Sequence, residues 1–201
     1  MVACEFSGVV RRAFRARGHD AWSCDLLPSE DEGEHIQDDA MNVISSGWDL
    51  LIAHPPCTYL ANSGERWFAG NEKRKALRQE AVAFVLRLWN CGIERVCIEN
   101  PIGHLSRAWQ RPHQIVQPFF FGHPEWKSTC LWLKNIPPLR WTHCVQPDST
   151  RGGGKKPGRV SSRIHRLPPG PERQRERSRT YPGLADAMAE QWGALETETV
   201  L

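Results

Sequence analysis

Short apolar runs that stop abruptly at polar or acidic residues alternate along this chain with stretches of helical periodicity. Val2 to Glu5 predicts a strand, and Phe6-Ser7-Gly8 the turn that follows it. Val10, Ala13, Phe14 and Arg17 then recur at helical spacing, with Gly18 placed to end the helix. Ala21 to Cys24 predicts a second strand that finishes at Asp25, and Pro28 to Asp39 reads as an acidic loop. Trp48 to Cys57, WDLLIAHPPC, is an apolar run entered by Asp49 and stopped by two prolines. That pattern predicts a buried strand delivering Cys57 to a rigid loop. Thr58 to Asn71 holds small and aromatic residues, with Gly64 and Gly70 as hinges for a loop that folds over a bound substrate. Leu77, Ala81, Phe84, Val85 and Leu88 form an apolar helical stripe, the mark of a core helix. Arg95 to Ile98 predicts a further strand, ending in Glu99-Asn100-Pro101.

Strand, small-residue turn, helix, strand with a terminal acid is the start of a nucleotide-binding α/β unit, in which the acid binds ribose hydroxyls. The absence of a GxGxxG argues against a phosphate-cradling dinucleotide site. A chain of 201 residues suits one well-buried α/β domain. No apolar run approaches the length of a membrane span and no signal-peptide pattern opens the chain, so the expectation is a cytoplasmic protein with no membrane partner. The seven cysteines include no CxxC pair. Cys91 and Cys97, and His143 beside Cys144, lack zinc-finger spacing, so neither a metal nor a disulfide framework is expected.

Charge changes the picture through its distribution. Between Arg140 and Arg179 eleven Lys or Arg stand against three acids, whereas the rest of the chain holds fifteen basic and twenty acidic residues. An acidic body with one concentrated basic segment reads as a catalytic or ligand-binding core carrying a polyanion-binding element. Taken alone, Cys57 reads as a small buried hydrophobe and Glu99 as an exposed strand end. Together they mark two buried strands that each deliver reactive groups at a C-terminal end. Glu99, beside apolar Val96 and Ile98, is expected to have its pKa raised by desolvation, so that it donates a proton while Cys57 attacks.

Phe6-Ser7-Gly8, Asp25, Asp39, Pro55-Pro56-Cys57 and Glu99-Asn100-Pro101 recur in the order and rough spacing of the S-adenosylmethionine-dependent DNA cytosine-C5 methyltransferases. The stretches CEFSG, AHPPCTYLANSG, IENPIG and RSRTYPGLADAMAEQWG resemble the short members of that family carried by bacteriophages and prophages. The resemblance covers nearly the whole chain, and Pro-Pro-Cys with Glu-Asn is its most specific part. It implies a Rossmann-like methyltransferase fold with a mostly parallel sheet. Phe6, Ser7, Gly8, Asp25, Asp39 and Pro55 would bind S-adenosyl-L-methionine: Phe6 and Gly8 on the methionine side, Asp25 on the ribose, Asp39 on the adenine amino group. Cys57 would attack C6 of cytosine, Glu99 would protonate N3, and Asn100 would hold the turn. A cysteine is only a few per cent thiolate at neutral pH, and the sequence does not identify what activates Cys57; His54, three residues away, is not expected to face it.

The chain departs from the family pattern at several places. Where the family carries Gln-x-Arg-x-Arg, Phe121 to Leu133 supplies Glu125, Lys127 and Thr129; Val9-Val10 replaces a glycine pair, and Thr58 a glutamine. Ser63, Arg66, Lys127, Lys155, Lys156, Arg163 and Arg166 are the expected DNA contacts. The expected organisation is a catalytic core over 1–139, a reduced target-recognition segment over 140–179, and over 180–201 a helix returning to the core, with Glu196 to Leu201 as a mobile tail. A monomer acting on DNA in a bacterial host, with a short or relaxed target sequence, follows from the resemblance. The alternatives are a non-catalytic protein that binds the cofactor or DNA, and an amino-methyltransferase, which would need an aromatic where Cys57 stands.

Overall fold

The first three apolar runs each fold into a strand shorter than the pattern. In this computed structural model, which describes residues 1–148, 167–168 and 170–194, β1 is Val2–Ala3. It stops there because Cys4 takes a left-handed backbone, φ 59°. Helix α1 spans Val9–Arg15, and β2 is Ser23–Asp25. The acidic stretch expected as a loop contains a strand, β3, His35–Gln37. Only Ile36 of its three residues is apolar, so the strand exists by virtue of its ladder to β2 and not of a local pattern. Asp39 then caps α2, Ala40–Val43, accepting a hydrogen bond from Met41 N.

β4, Leu50–Ala53, is the apolar run before the prolines. Helix α3, Glu72–Trp89, carries the expected stripe, with Val85 and Leu88 fully buried. β5 spans Arg95–Pro101, so Glu99, Asn100 and Pro101 lie within the strand and not beyond it. A short helix α4, Leu105–Ala108, and a strand β6, Gln114–Val116, follow, both without a sequence signal. β7 is Thr129–Lys134. Helices α5, Pro171–Ser178, and α6, Pro182–Gly193, complete the described elements.

Among the described residues seven strands form one sheet in the order β3-β2-β1-β4-β5-β7-β6. The five from β3 to β5 run parallel, while β7 is antiparallel to both β5 and β6. This is an α/β architecture compatible with a Rossmann-like fold. The strand order reverses between β1 and β4, which makes their C-terminal ends the switch point where open α/β sheets bind ligands.

The chain divides into two compact units. The first, Met1–Gly8, Ala21–Val116 and Ser128–Pro138, contains the whole sheet. Alternation along its strands sets one face: Leu51, Ala53, Val96, Ile98 and Trp132 join Val85 and Leu88 of α3 in one buried cluster. The second unit takes the described residues of Val9–Asp20, Gln117–Lys127 and Leu139–Leu201. There α1 packs on α6 through Val10, Ala13 and Phe14 on one side and Leu184, Ala185, Met188 and Trp192 on the other, all of them buried. Gly183 N donates to His123 Nε2 at 2.9 Å, and Tyr181 Oη to Glu125 Oε2 at 2.9 Å, so the start of α6 is fastened to the Phe121–Lys127 segment.

The carbonyl of Phe121 lies where a Cβ on Gly183 would have to go. Gly183→Ala therefore costs about 1–3 kcal/mol through overpacking, despite alanine's better helix propensity. Urea denaturation of the variant is expected to show a lower midpoint with an unchanged slope; a midpoint equal to the wild type's contradicts the close approach.

Candidate active site

The last paired rungs of the parallel strands are Ala3↔Cys24, Ala3↔Ala53 and Ala53↔Ile98. One residue further along, the same level of the sheet reads Asp25, Cys4, His54 and Glu99 across four neighbouring strands. Adjacent parallel strands lie about 4.8 Å apart, so the ladder brings these four positions level with one another across the sheet. The ladder also explains why the candidate groups gather here: His54 N still bonds to Ala3 O at 2.9 Å, and Glu5 N to Cys24 O at 3.2 Å.

Beyond that level Pro55 and Pro56 have no N–H to continue the sheet. Side chains of β5 take over. His54 Nδ1 lies 2.9 Å from Glu99 Oε2, and Asn100 Nδ2 donates to Pro55 O at 2.8 Å. The side chains of His54 and Glu99 are 7% and 14% exposed, so their contact is largely out of water. Asn100 is buried, and its Oδ1 has no partner among the described residues; nor has His54 Nε2. Cys57 follows two residues after Pro55, exposed, its carbonyl accepting from Leu60 N and Ala61 N at the head of a single turn. The structure thus sets Asn100 against Pro55 and Glu99 against His54, with Cys57 two residues further along the same loop. His54 is the residue that sequence reasoning set aside: its partner is Glu99 and not Cys57. The signal that could have found it is register, because β4 and β5 paired in parallel put 54 level with 99.

The thiols of the sheet are held protonated. Burial pushes Cys97 well up and Cys130 up to about 12, with the Glu99 charge adding to both. Burial pushes Cys24 up to about 11, and Cys4 is raised by burial and then by the nearby Asp25, Cys24 and Asp39. None of the seven cysteines is in a disulfide. Among the described residues no cluster of His, Cys, Asp and Glu suits a metal ion, and no helix is long and apolar enough to cross a membrane.

Of the expected cofactor residues, Phe6, Ser7 and Gly8 follow β1, Asp25 ends β2, Asp39 follows β3 and Pro55 follows β4. Phe6 is half-buried, Ser7 and Gly8 are buried, and Gly8 takes φ 66°. Ser7 Oγ donates to Glu5 Oε1 at 3.5 Å; Glu5 itself is buried and was not foreseen as a site residue. Asp25 is half-buried and accepts from Leu27 N through Oδ1, and the large apolar side chains of Leu26 and Leu27 stand in solvent beside it. Asp39 is exposed, with one oxygen committed to capping α2.

Ser63 and Arg66 lie exposed on a 3-10 helix, Asn62–Trp67, Arg66 stacked 4.8 Å from the exposed Trp67 ring. The segment around them is fastened, not loosely hinged. Arg78, buried on α3, donates to Tyr59 O at 3.0 Å and to both oxygens of Glu65, and its guanidinium lies over the Phe68 ring. His104 N bonds to Leu60 O at 2.7 Å, Asn62 N to Ile102 O at 3.3 Å, and the Leu60 carbonyl occupies the place a Cβ on Gly103 would need. Of the two expected hinges, Gly70 has a left-handed backbone, φ 68°, and Gly64 does not. Lys127, in the second unit, donates from Nζ to Arg179 O at 2.7 Å and lies over the Tyr181 ring, which ties it to the fold of that unit. Lys155, Lys156, Arg163 and Arg166, and the tail from Glu196 to Leu201, lie outside the described residues.

The loop's anchors have a pH signature. Burial first, then Arg78 and Arg107, hold the His104 pKa below its usual value of 6.5, so as pH falls the unfolded chain takes up that proton before the folded one does. The Arg78 hydrogen bond holds Glu65 below 4.5, a contribution present above that value and lost as pH falls through the folded one. Both signs agree: stability drops on acidification, first through His104. The melting temperature is expected to fall between about pH 7 and pH 5 by less in His104→Asn than in the wild type; parallel curves would remove His104 as the source.

No family model matches the chain and no curated protein matches its sequence, so the chemistry of the site rests on the residues just described.

Proposed function

We propose that this protein is a DNA cytosine-C5 methyltransferase that uses S-adenosyl-L-methionine and a covalent Cys57 adduct. The observation that carries the reading is the pairing of strand ends: an exposed cysteine on a proline-stopped loop, and an acid on the neighbouring strand tied to that same loop by His54–Glu99 and Asn100–Pro55. The mostly parallel sheet with its switch point at β1 and β4 is the kind of sheet the sequence resemblance implies.

Cytosine C5 is a poor nucleophile, and the two groups supply what it lacks. The Cys57 thiolate adds to C6, forming the S–C6 bond, while the Glu99 acid transfers its proton to N3; the ring becomes an enamine with C5 nucleophilic. After C5 has gained the methyl group its proton is lost to a base, the S–C6 bond breaks, and the proton on N3 returns to Glu99. Asn100 keeps the Pro55 carbonyl, and hence the Cys57 loop, against β5.

The ends of β1 and β2 fit the cofactor. An acid at the end of β2 beside a switch point suits ribose hydroxyls, and the exposed Leu26 and Leu27 offer an apolar face to a purine. Bound there, S-adenosyl-L-methionine supplies the methyl group as a sulfonium. The target carbon is stacked within duplex DNA, so the base is taken out of the helix, and the exposed Ser63, Arg66 and Trp67 stand on the segment next to Cys57 to meet the strand. The basic run between Arg140 and Arg179 supplies phosphate contacts and only a few base contacts, which fits a short target sequence.

Labelled S-adenosyl-L-methionine and DNA should yield label at cytosine C5, and a duplex containing 5-fluorocytosine should trap a denaturation-resistant adduct. Cys57→Ala is expected to abolish the adduct altogether. Label on an exocyclic nitrogen, or an adduct that survives in Cys57→Ala, rejects the mechanism; cofactor binding without turnover on any DNA favours the non-catalytic alternative.

A further inference from the structure

We infer that Trp141, at the head of the basic segment, is a stacking platform for an unpaired base of single-stranded DNA, a contact made to the flat face of a base and not to its edge. This rests on the methyltransferase reading only in taking DNA as the partner, and it assigns a binding residue within the second unit that the reading does not use.

Trp141 ends a row of aromatic rings inside that unit. Its ring lies flat against Phe120, with centroids 4.2 Å apart and planes 10° apart; Phe120 meets Phe119 edge-on at 4.5 Å, and Phe119 meets Trp126 edge-on at 4.6 Å. Phe119, Phe120 and Trp126 are half-buried, whereas Trp141 is 60% exposed. Phe120 covers one face of the indole, so the exposure comes from the opposite face and the ring edge. The backbone holds the ring in that position. Arg140 N donates to Gln191 Oε1 at 2.7 Å and Gln191 Nε2 donates to Arg140 O at 2.9 Å, which fastens the residue before Trp141 to α6. Beyond the ring, His143 N donates to Phe120 O at 3.2 Å and Val145 N to Phe119 O at 2.9 Å.

Charge selects the occupant. Arg140 precedes the ring, and the segment that it opens holds eleven Lys or Arg against three acids. A rigid π face within a polycationic stretch fits a strand that offers phosphates and bases together: the cations follow the backbone, and stacking on an aromatic ring contributes about 1–3 kcal/mol per base. A second copy of this chain would bring the same basic segment against itself, so like charge opposes that occupant. Duplex DNA keeps its base faces covered by neighbouring bases, so the platform favours a strand with unpaired ones. Every base has such a face, and the contact therefore adds affinity without adding to the target sequence.

Fluorescence anisotropy of the full chain, without cofactor, tests this with two labelled single strands of about twelve nucleotides, oligo-dT and an abasic strand that has the same phosphates and no bases. Wild type should bind oligo-dT about tenfold more tightly than the abasic strand. Trp141→Leu keeps an apolar contact for Phe120 but has no π face; it should lose about tenfold on oligo-dT while its affinity for the abasic strand and its salt dependence stay as they were. Trp141→Tyr should remain within about threefold of wild type. Trp141→Leu that binds oligo-dT as wild type does, or that is weakened on both strands alike, overturns the inference, the second result marking a merely structural role. Tighter binding of oligo-U than of oligo-dT assigns the platform to RNA and overturns it as stated, as does a dimer that Trp141→Leu dissociates with oligo-dT binding unchanged. If Trp141→Leu does not fold, Trp141→Met takes its place with the same expectation. Wild type that methylates cytosine while Trp141→Leu binds oligo-dT unimpaired overturns this inference alone; wild type that methylates no DNA while Trp141→Leu loses oligo-dT overturns the methyltransferase reading and leaves the platform standing.

Discussion

The parallel ladder between β4 and β5 ends after Ala53↔Ile98, and everything of chemical interest depends on how the two strands stay together beyond it. Pro55 and Pro56 remove the N–H groups that would extend the pairing. In their place the β5 side chains reach across: Glu99 to the His54 ring, Asn100 to the Pro55 carbonyl. Buried hydrogen bonds of this kind contribute about 1 kcal/mol net, yet deleting one partner costs more, because the other is left desolvated and unpaired. A break in the ladder thus becomes a fixed corner, and Cys57 stands just past it.

β5 can hold that corner because it is clamped on its other side. Its last residues pair antiparallel with β7, Glu99 with Leu131, Asn100 with Cys130 and Pro101 with Thr129. The strand therefore outruns its parallel neighbour by three residues without fraying, and Glu99 sits on a rigid element and not on a loop end. Preorganisation of this sort lets an acid work without reorganising at the moment of reaction. The same surroundings keep Cys97 and Cys130 protonated, so neither thiol places negative charge beside Glu99.

Much of this was legible in the sequence because it is local. The α3 stripe, the apolar run stopped by Pro-Pro, and the polar ending of β5 all announce themselves within a few residues. What escaped is what depends on a partner. β3 and β6 are three-residue strands; His35 and Gln37 flank a single apolar residue, and the central Ile115 of β6 is half exposed, so neither shows a periodicity that distinguishes it from loop. Their ladders come from β2 and β7. His54 escaped for the same reason: three residues from Cys57 along the chain it has no evident task, and only the register that sets it level with Glu99 gives it one. Arg78 reads as the charged flank of an amphipathic helix and is in fact buried beneath the segment after Cys57.

That last residue alters how substrate access must be pictured. Glycines at 64 and 70 suggest a flap, but the segment between them is bound to the core by a buried guanidinium that fills three places at once: the Tyr59 carbonyl, the Glu65 carboxylate and the face of Phe68. Opening it as a unit would leave Arg78 a buried cation without its partners, a far larger cost than bending a glycine. The segment is thus held to the core by Arg78 and does not swing away from Cys57 as a unit. The position of Cys57 becomes a property of the folded sheet and its anchors.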